Sequence, residues 1–508
     1  AGSLAAASNG IGVYHLYGDE TTHGEGYNMQ QVPKPEQGIY GRITALMGRS
    51  YVLHTPEALR EALRQGAANV FHPYKARPFY LMLPINTQPR EVELRIDALP
   101  QRPALSATMP ADEASLDRAA ELIASEPRIV IKAGGGTRAF ASELRRLAEV
   151  AGAPVVLSPG STGVLPDQHP QNMHVGGTKG SISGNFAMEN ARFLVVIGSR
   201  AVCQSDCSGI GYPAVEEVIN INADIEDVLH YNNTLALNGD IGAILDRLAS
   251  KLGPAHLAVQ PDRLAWLAEC LERKKAWAAF KAGRCGVAQQ ADAVWNGPVL
   301  TQPQAIKTVA DFCKSIGALK IFDAGDVQAN GFQIVEDDSP GETITESGSS
   351  YMGFAVSALL SAAAAERPRY AVAFTGDGSF MMNPQVIIDG IEHGVHATIV
   401  IFDNRRMAAI TSLQEAQYGR EYRTSDRVAV DYVALARSVD GVLALHGGRS
   451  QDALRRALVE AHAHRGLSVI HVPVYFGPDP IGGMGAYGRW NVGNWCADVE
   501  RAYAGTRI

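Results

Sequence analysis

The chain has 508 residues, of which 46% are hydrophobic and 19% are charged. This balance can build several buried cores, and it excludes a disordered or collagen-like protein. The formal net charge of −8 argues against a strongly basic nucleic-acid-binding protein and is typical of a cytoplasmic enzyme. The longest apolar runs, such as Ala397–Phe402, are far shorter than the roughly 20 residues of a membrane helix. No nucleic-acid or membrane partner is therefore expected.

The first block of the chain, residues 1–100, combines short apolar runs with one amphipathic segment. Val13–Leu16 and Phe79–Leu83 are predicted to be strands, and Thr55–Asn69 is predicted to be a helix that starts at a Thr-Pro signal. Thr87–Pro110 carries four prolines and shows no sustained period, so we interpret it as a linker.

Two further blocks, residues 111–255 and 298–508, alternate apolar runs of strand length with segments of helical period. A Trp-bearing helical region at Leu264–Lys281 separates them. The alternation predicts an α/β fold with three doubly wound parallel-sheet domains. The predicted strands of the second and third blocks are Arg128–Ala133, Val155–Leu157, Phe193–Ile197, Val218–Ile221, Lys320–Phe322, Tyr370–Phe374, Thr398–Phe402 and Ser468–Val472. The predicted helices of the second block are Ala114–Ser125, Phe140–Ala151 and Ile241–Leu252.

In the third block, one predicted strand ends at Gly376-Asp377-Gly378 and the next ends at Asn404. Because the carboxyl ends of parallel strands share one edge of a sheet, Asp377 and Asn404 are expected to meet there. Carboxylate and amide oxygens are ligands that suit Mg²⁺, which would add a backbone carbonyl, water and phosphate oxygens. Gly378 and Ser379 open the next helix, whose free N–H groups can hold a diphosphate. A lone Gly-Asp-Gly is also a common turn, and the spacing to Asn404 is what favours a metal site.

This arrangement resembles the signature of thiamine-diphosphate-dependent enzymes of the acetolactate synthase and pyruvate oxidase superfamily. The resemblance extends to the sequence ESGSSYMGFA, which is similar to the family's Gly-x-Met-Gly segment and places Met352 25 residues before Asp377. It implies that Met352 holds the cofactor in its bent shape and that the Ser350 carbonyl accepts a hydrogen bond from the pyrimidine amine. Taken alone, Met352 would be interpreted as an ordinary core methionine on a helix.

The same resemblance implies metal ligands at Asp377, Asn404 and the backbone carbonyl of Arg406, although the family usually has a second Asn where this chain has Arg405. The side chains of Arg405 and Arg406 are expected either to reach phosphate or substrate or to lie at the surface. The other residues that the resemblance assigns to cofactor binding are Asp326, Gln328, Gly376, Gly378, Ser379, Met352 and Met407.

The second block resembles the central domain of the family, in which some members hold FAD. Its matching residues are Gly134 and Gly135 after one strand, Gly198 after another and Asp224 after a third. Any tight strand–helix turn favours glycine, and several relatives keep this fold without flavin. The sequence therefore leaves FAD as an open alternative.

The first block resembles the second half of the family's pyrimidine-binding domain, through Tyr17–Gln31 and Phe79–Pro84. The family's glutamate that protonates the pyrimidine ring lies early in that domain. We expect it to precede Ala1, because Glu20 lies too late, and we therefore expect the chain to be truncated. The C-terminal segment Phe476–Trp495 is interpreted either as a lid over the cofactor or as a subunit-packing tail.

The resemblance implies a small-molecule substrate with a reactive carbonyl group, either a 2-oxo acid or a vicinal diketone. The plan of the whole chain favours carboligation of pyruvate, as in acetolactate synthases. Local motifs favour the enzymes that hydrolyse trihydroxycyclohexane-1,2-dione, and we prefer this lyase or hydrolase interpretation. The motifs concerned are Ser350–Phe354, Gly376–Asn383, Asp403–Asn404, Ala409–Leu413 and Gly488–Val492.

Two further expectations concern assembly and proton transfer. Because the family builds each active site between subunits, a homodimer or homotetramer is expected. A catalytically inactive partner subunit or a flavin-binding relative is the remaining alternative. The sequence does not select an acid–base group among the candidate histidines His15, His23, His393 and His471.

Overall fold

The structure is a computed structural model, and it describes residues 2–23, 36–102, 104–253, 261–426, 428–477 and 497–508. Contacts group the chain into two compact units, Ala1–Ser106 and Ala107–Ile508. No helix among the described residues is long and apolar enough to cross a membrane. The five cysteines that the structure describes are free thiols.

The first unit contains a three-stranded parallel sheet, formed by β1 (Tyr14–Asp19), β2 (Arg49–Val52) and β3 (Phe79–Pro84). The strand order is β1-β3-β2, so β3 is central, and five of its six residues are buried. The apolar sequence of β3 is what allows it to occupy this position. The helices of the unit are α1 (Gly2–Ser8), α2 (Ile39–Ala45) and α3 (Leu59–Val70).

The second unit begins with a six-stranded parallel sheet, which we call the middle sheet. Its strands are β4 (Ile129–Ala133), β5 (Val155–Leu157), β6 (Asn172–Val175), β7 (Phe193–Ile197), β8 (Glu217–Asn222) and β9 (Thr234–Asn238). The order is β6-β5-β4-β7-β8-β9. Alternate residues of β4 enter two separate cores, Ile131 on one face and Val130 on the other, which explains why the strand is apolar on both faces.

Helices cover the middle sheet and then lead out of it. They are α4 (Glu113–Ser125), α5 (Ala141–Ala151), α6 (Ile182–Asn190), α7 (Ile225–Val228) and α8 (Ile241–Leu252). The long helix α9 (Pro261–Cys285) follows and buries Trp266 and Trp277, as its Trp-bearing sequence predicts. An antiparallel pair, β10 (Gln290–Asp292) and β11 (Gly297–Val299), comes next.

A second six-stranded parallel sheet, which we call the C-terminal sheet, completes the unit. Its strands are β12 (Leu319–Phe322), β13 (Thr343–Thr345), β14 (Ala371–Gly376), β15 (Ala397–Asp403), β16 (Leu443–His446) and β17 (Leu467–Pro473). Their order is β13-β12-β14-β15-β17-β16. The helices are α10 (Gln302–Ile316), α11 (Asp326–Ile334), α12 (Phe354–Ala358), α13 (Ser361–Ala364), α14 (Asp377–Phe380), α15 (Val386–Glu392), α16 (Ala408–Tyr418), α17 (Tyr432–Arg437), α18 (Gln451–Ala463) and α19 (Ala497–Tyr503).

Both large sheets grow outward in two directions from an inner first strand. The middle sheet adds β5 on one side of β4 and β7 on the other, and the C-terminal sheet adds β13 on one side of β12 and β14 on the other. Open α/β sheets bind ligands where the strand order reverses in this way, at the carboxyl ends of the strands. The crevices between β4 and β7 and between β12 and β14 are therefore the two expected ligand sites.

The pairing of β14 with β15 decides whether Asp377 and Asn404 meet. Gly376 pairs with Phe402 in parallel register, so Asp377 and Asn404 both follow their strands at the same edge of the sheet. The predicted α/β class with parallel sheets is confirmed. The boundaries of the three predicted domains stay predictions.

Candidate functional site

The carboxyl edge of the C-terminal sheet carries almost fully buried acidic side chains. Asp323 follows β12, Asp377 follows β14 and Asp403 ends β15, and none of them is more than 4% exposed. Asp323 accepts hydrogen bonds from the N–H group of Gly353 at 2.8 Å and from Thr375 Oγ1 at 3.0 Å. Asp323 therefore connects the end of β14 and the loop before α12 across the crevice.

Asp377 lies in an electrostatically crowded environment. Burial raises the pKa of Asp377 to about 8, and the charges of Asp403 and Asp326 and a hydrogen bond with Asp403 act in the same direction. Burial also raises the pKa of Asp326. A positive charge at this edge would offset the repulsion among these carboxylates, which is the electrostatic condition that a cation-binding site creates.

Asn404 connects the residues that the sequence predicted to act together. Its Nδ2 donates to Asp326 Oδ2 at 3.0 Å, and its Oδ1 accepts from the backbone N–H of Arg406 at 3.1 Å. Gln302 Nε2 donates to the same Asp326 oxygen at 2.7 Å. The structure thus brings Asp326, Asn404 and the Arg406 backbone to one place, beside Asp377.

The two arginines after Asn404 have different environments. The Arg406 side chain is only 12% exposed, and it donates to the Phe476 carbonyl at 2.8 Å while its guanidinium lies over the Phe476 ring. Arg405 has a backbone φ of 57°, in the left-handed region, and its N–H donates to Asp403 Oδ1 at 3.0 Å. Arg406 is therefore not a surface side chain.

Among the candidate histidines, the structure joins His471 to this edge. His471 Nε2 lies 2.9 Å from Asp403 Oδ2, and Asp403 is the neighbour of Asp377. His15 instead stacks on Tyr80 in the first unit. The sequence could not select His471 because the strands that carry it and Asp403 pair only in the folded sheet.

Met352 and Ser350 also lie at this edge. A Cβ placed on Gly378 would lie 3.3 Å from Met352 Cε, so the methionine side chain reaches the start of α14. Ser350 Oγ donates to Gln328 Oε1 at 3.3 Å, and Ser350 has a φ of 50°. Met407, in contrast, is 43% exposed at the start of α16.

Gln328 belongs to a buried polar network that the sequence did not reveal. Helix α11 buries three amide side chains, those of Gln328, Asn330 and Gln333. Arg284 of α9, itself 3% exposed, donates to both Asn330 and Gln333. Lys179, from the loop between β6 and α6, donates to Gln328 Oε1 at 2.8 Å. Through these hydrogen bonds, α11 connects α9 and a loop of the middle sheet to the edge of the C-terminal sheet.

The residues predicted for FAD form a separate group at the middle sheet. A Cβ on Gly134 would lie 2.3 Å from the Gly198 carbonyl, so the two strand–helix turns pack directly against each other. Gly135 has more space, with its nearest contact at 3.7 Å from Gly160. Asp224 caps α7 by accepting from the Glu226 N–H at 3.0 Å. Gly134, Gly198 and Asp224 thus have structural roles without a flavin.

Two predicted features lie outside the described residues. Most of the C-terminal segment interpreted as a lid or packing tail, including Gly488–Val492, is one of them, and the second half of Tyr17–Gln31, residues 24–31, is the other.

The donor set at the C-terminal edge fits a hard divalent cation. The predicted ligands are one carboxylate, one amide oxygen and one backbone carbonyl, all of which are oxygen donors. The described residues contain no group of three or more His, Cys, Asp or Glu side chains arranged to hold a metal ion. A cation here would therefore depend on the amide, the carbonyl and oxygens supplied by a ligand.

Comparison with known families places both large sheets. Residues 116–248 match the family model described as "Thiamine pyrophosphate enzyme, central domain", and residues 323–472 match "Thiamine pyrophosphate enzyme, C-terminal TPP binding domain". The second match begins at Asp323 and spans the whole edge described above. The chain therefore belongs to the thiamine pyrophosphate-dependent enzymes, as the sequence motifs predicted.

Curated relatives within this group differ in the reactions that their names describe. The chain is 25% identical to a probable acetolactate synthase large subunit of Methanocaldococcus jannaschii, over 79% of this chain and 67% of that protein. It is 24% identical to the 3D-(3,5/4)-trihydroxycyclohexane-1,2-dione hydrolase of Listeria monocytogenes, over 86% of this chain and 71% of that protein. A sulfoacetaldehyde acetyltransferase of Alcaligenes xylosoxydans is also 24% identical, over 68% and 60%.

The chain spans only part of the length of several curated relatives. It spans 53% of the acetolactate synthase of Mycobacterium bovis and 64% of an Escherichia coli isozyme. Identities of 24% to 26% do not separate the carboligases from the hydrolases.

Proposed function

We propose that the protein is a thiamine-diphosphate- and Mg²⁺-dependent enzyme that cleaves the C–C bond next to a carbonyl group. The substrate would be a 2-oxo acid or a vicinal diketone, including a cyclic one. The observation that carries the proposal is the meeting of Asp377, Asn404 and Asp326 at the switch point of the C-terminal sheet. This edge lies within the region that matches the thiamine pyrophosphate-binding family model.

Asp377, the amide oxygen of Asn404 and the carbonyl of Arg406 would hold Mg²⁺, and the diphosphate of the cofactor would complete its shell. The burial of Asp377 and the neighbouring charges of Asp403 and Asp326 support this assignment, because a cation offsets their repulsion. Gly376, Gly378 and Ser379 would lie beside the diphosphate.

Thiamine diphosphate supplies the electron sink for breaking a bond next to a carbonyl group. Met352, which reaches Gly378, would support the bent form of the cofactor, and the Ser350 carbonyl would accept from its aminopyrimidine. Asp403 holds His471 at 2.9 Å, which makes His471 the candidate histidine that is best placed to move protons at this edge.

The dione hydrolases support the cleavage reaction. The alignment with the Listeria relative covers 86% of this chain, and local motifs around Ser350 and Asp377 resemble the same enzymes. The alternative is carboligation of pyruvate, and the acetolactate synthase of Methanocaldococcus supports it through an alignment over 79% of the chain. Both reactions need the same metal and cofactor site.

The proposal includes a homodimer or homotetramer with active sites between subunits, in line with the family resemblance. FAD binding is an alternative that needs a test of its own. The packing of Gly134 against Gly198 and the cap formed by Asp224 need no flavin, so these residues do not decide the question. The visible absorption spectrum of the purified protein would reveal bound FAD.

A substrate comparison tests the proposal. The purified protein is incubated with thiamine diphosphate and Mg²⁺, once with trihydroxycyclohexane-1,2-dione and once with pyruvate, and the products are identified by mass spectrometry. We expect a ring-opened acid from the cyclic diketone, and no product when EDTA replaces Mg²⁺. Formation of 2-acetolactate from pyruvate would identify the enzyme as a carboligase, and the proposed cleavage reaction would then be wrong. Equal turnover with and without the cofactor would contradict the proposal as a whole.

A further inference from the structure

The segment 346–353 is held at its start by a buried carboxylate. Glu346 is 4% exposed, and its side chain accepts hydrogen bonds from three consecutive backbone N–H groups. The distances are 2.7 Å to Gly348, 2.9 Å to Ser349 and 2.5 Å to Ser350. Hydrogen bonds from N–H groups to an ionised carboxylate are among the stronger ones in proteins, so this carboxylate fixes the path of the turn.

The turn needs such support because Ser350 has a backbone φ of 50°, which residues other than glycine rarely adopt. The bond to Glu346 fixes the backbone before Ser350. Beyond it, the N–H of Gly353 donates to the buried carboxylate of Asp323 at 2.8 Å. The Ser350 carbonyl and Met352 therefore lie between two anchored points.

Gln328 adds a third anchor to the same segment. It is fully buried, and its Nε2 donates to Thr345 Oγ1 at 2.8 Å and to the Glu346 carbonyl at 3.0 Å. Its Oε1 accepts from Lys179 Nζ at 2.8 Å and from Ser350 Oγ at 3.3 Å. Two donated and two accepted bonds use the full capacity of the amide, so its orientation is unique.

We propose that Glu346 is a positioning residue for thiamine diphosphate, holding the Ser350 carbonyl and Met352 where they receive the aminopyrimidine ring. The inference rests on the proposed function, because the roles of Ser350 and Met352 belong to it. Glu346 itself need not touch the cofactor, since it acts through the backbone of the turn.

The chain offers a matched control for a carboxylate that merely caps a loop. Glu342 immediately precedes β13, the strand that leads to Glu346. Its side chain accepts hydrogen bonds from the N–H groups of Ser339 at 3.0 Å and Asp338 at 3.4 Å. It also lies 3.8 Å from Lys320. Glu342 shares the chemistry of Glu346, but the turn that it caps carries none of the residues proposed to shape the cofactor.

The test compares Glu346→Gln with Glu342→Gln in the full chain. A neutral amide offers one acceptor oxygen instead of two, so it cannot bind all three N–H groups of the turn. We expect Glu346→Gln to raise the Kd for thiamine diphosphate in the presence of Mg²⁺ by about 10-fold, measured by isothermal titration calorimetry. The near-ultraviolet circular dichroism of the bound cofactor should change as well. Glu342→Gln should leave both within about twofold of wild type.

Melting temperatures of both variants, measured without cofactor, separate positioning from folding. Glu346→Asp, which keeps the charge and shortens the reach, replaces Glu346→Gln if that variant does not fold, and the same 10-fold criterion applies. If both glutamine variants lower the melting temperature alike and bind the cofactor as wild type does, the inference is wrong. If the wild-type protein itself shows no Mg²⁺-dependent binding, the proposed function fails first and the inference fails with it.

Discussion

The middle sheet and the C-terminal sheet are both six-stranded and parallel with one switch point, but they differ in strand order and at the edge where ligands would bind. Each has six parallel strands, and each buries a lysine in its first strand, Lys132 in β4 and Lys320 in β12. In the middle sheet, the two turns at the switch point are closed by contact between Gly134 and Gly198. In the C-terminal sheet, the corresponding turns carry buried carboxylates. A Cβ placed on Gly376 would lie 3.8 Å from Val327 Cγ2, which is an ordinary van der Waals distance.

A switch point therefore does not by itself decide what a site binds. The strand order produces a crevice in both sheets, and the residues at the strand ends differ in charge and in the space that they leave. The two buried lysines also differ in the partners that satisfy them. Lys320 forms an ion pair with Asp337 at 3.0 Å, whereas Lys132 donates to the backbone carbonyls of Leu157 at 3.3 Å and Gly176 at 3.5 Å.

Removing the carboxylate of Asp377 should give the largest effect. Asp377→Asn takes away the charged ligand of the proposed metal, so the Kd for thiamine diphosphate with Mg²⁺ should rise by at least about 100-fold. Isothermal titration calorimetry measures it directly. Asp240→Asn is the matched control at the middle sheet, because Asp240 only caps α8 and Asn is an equally good cap. Affinity within about threefold of wild type in Asp377→Asn would overturn the ligand assignment.

Adding one methyl group at each switch point should separate the two edges next. A Cβ at Gly134 would overlap the Gly198 carbonyl at 2.3 Å, whereas one at Gly376 would meet only Val327 at 3.8 Å. Gly134→Ala should therefore destabilise the protein by about 3 kcal/mol, and Gly376→Ala by less than about 1 kcal/mol. Urea denaturation without cofactor measures both. Equal destabilisation of the two variants would show that the edges are not packed differently.

The smallest effect concerns the pH dependence of the middle sheet. Burial raises the pKa of Asp206 to about 7, against the attraction of Lys132, and burial lowers the pKa of Lys132 to about 8. In the unfolded chain Asp206 loses its proton near pH 4, so its contribution to stability falls as the pH rises from about 4 to about 7. Lys132 keeps its proton to higher pH when unfolded, so stability recovers from about pH 8 towards about pH 10.5.

We therefore expect a minimum in the free energy of unfolding between about pH 7 and pH 8. Urea denaturation at a series of pH values measures it. Asp206→Asn should reduce the decline on the acidic side, and the part that remains comes from other buried carboxylates such as Asp377. A double variant, Lys132→Met with Asp206→Asn, should reduce the recovery on the alkaline side as well. A wild-type profile that is flat across this range would contradict the assignment.

The sequence predicted the parts of the molecule that depend on local pattern. Continuous apolar runs located β7 and β15, because strands buried on both faces need apolar residues at every position. The same logic brought Asp377 and Asn404 to one edge, since parallel strands in register deliver their ends together. The roles given to Met352 and Ser350 came from family resemblance, and the structure adds only their location.

Local pattern could not predict the polar network around α11. Its sequence DVQANGFQI has no apolar stripe of helical period, so neither the helix nor its burial is visible from periodicity. Gln328 and Asn330 are buried because partners from Lys179 and Arg284 satisfy them. Those partners lie 149 and 46 residues away in the chain, and only the tertiary fold brings them close.

The way in which α11 is held has a consequence for how this protein can change over evolutionary time. Gln328 depends on the loop that bears Lys179, Asn330 depends on α9, and Gln333 depends on both, so no one segment supplies all of their partners. An apolar replacement of any one of them would remove a buried hydrogen bond from a polar group of a different segment, at a cost of about 1–3 kcal/mol each. The two sheets of this unit should therefore diverge together, and a chimera that takes each sheet from a different relative should fold poorly unless the amides and their partners are transferred as a set.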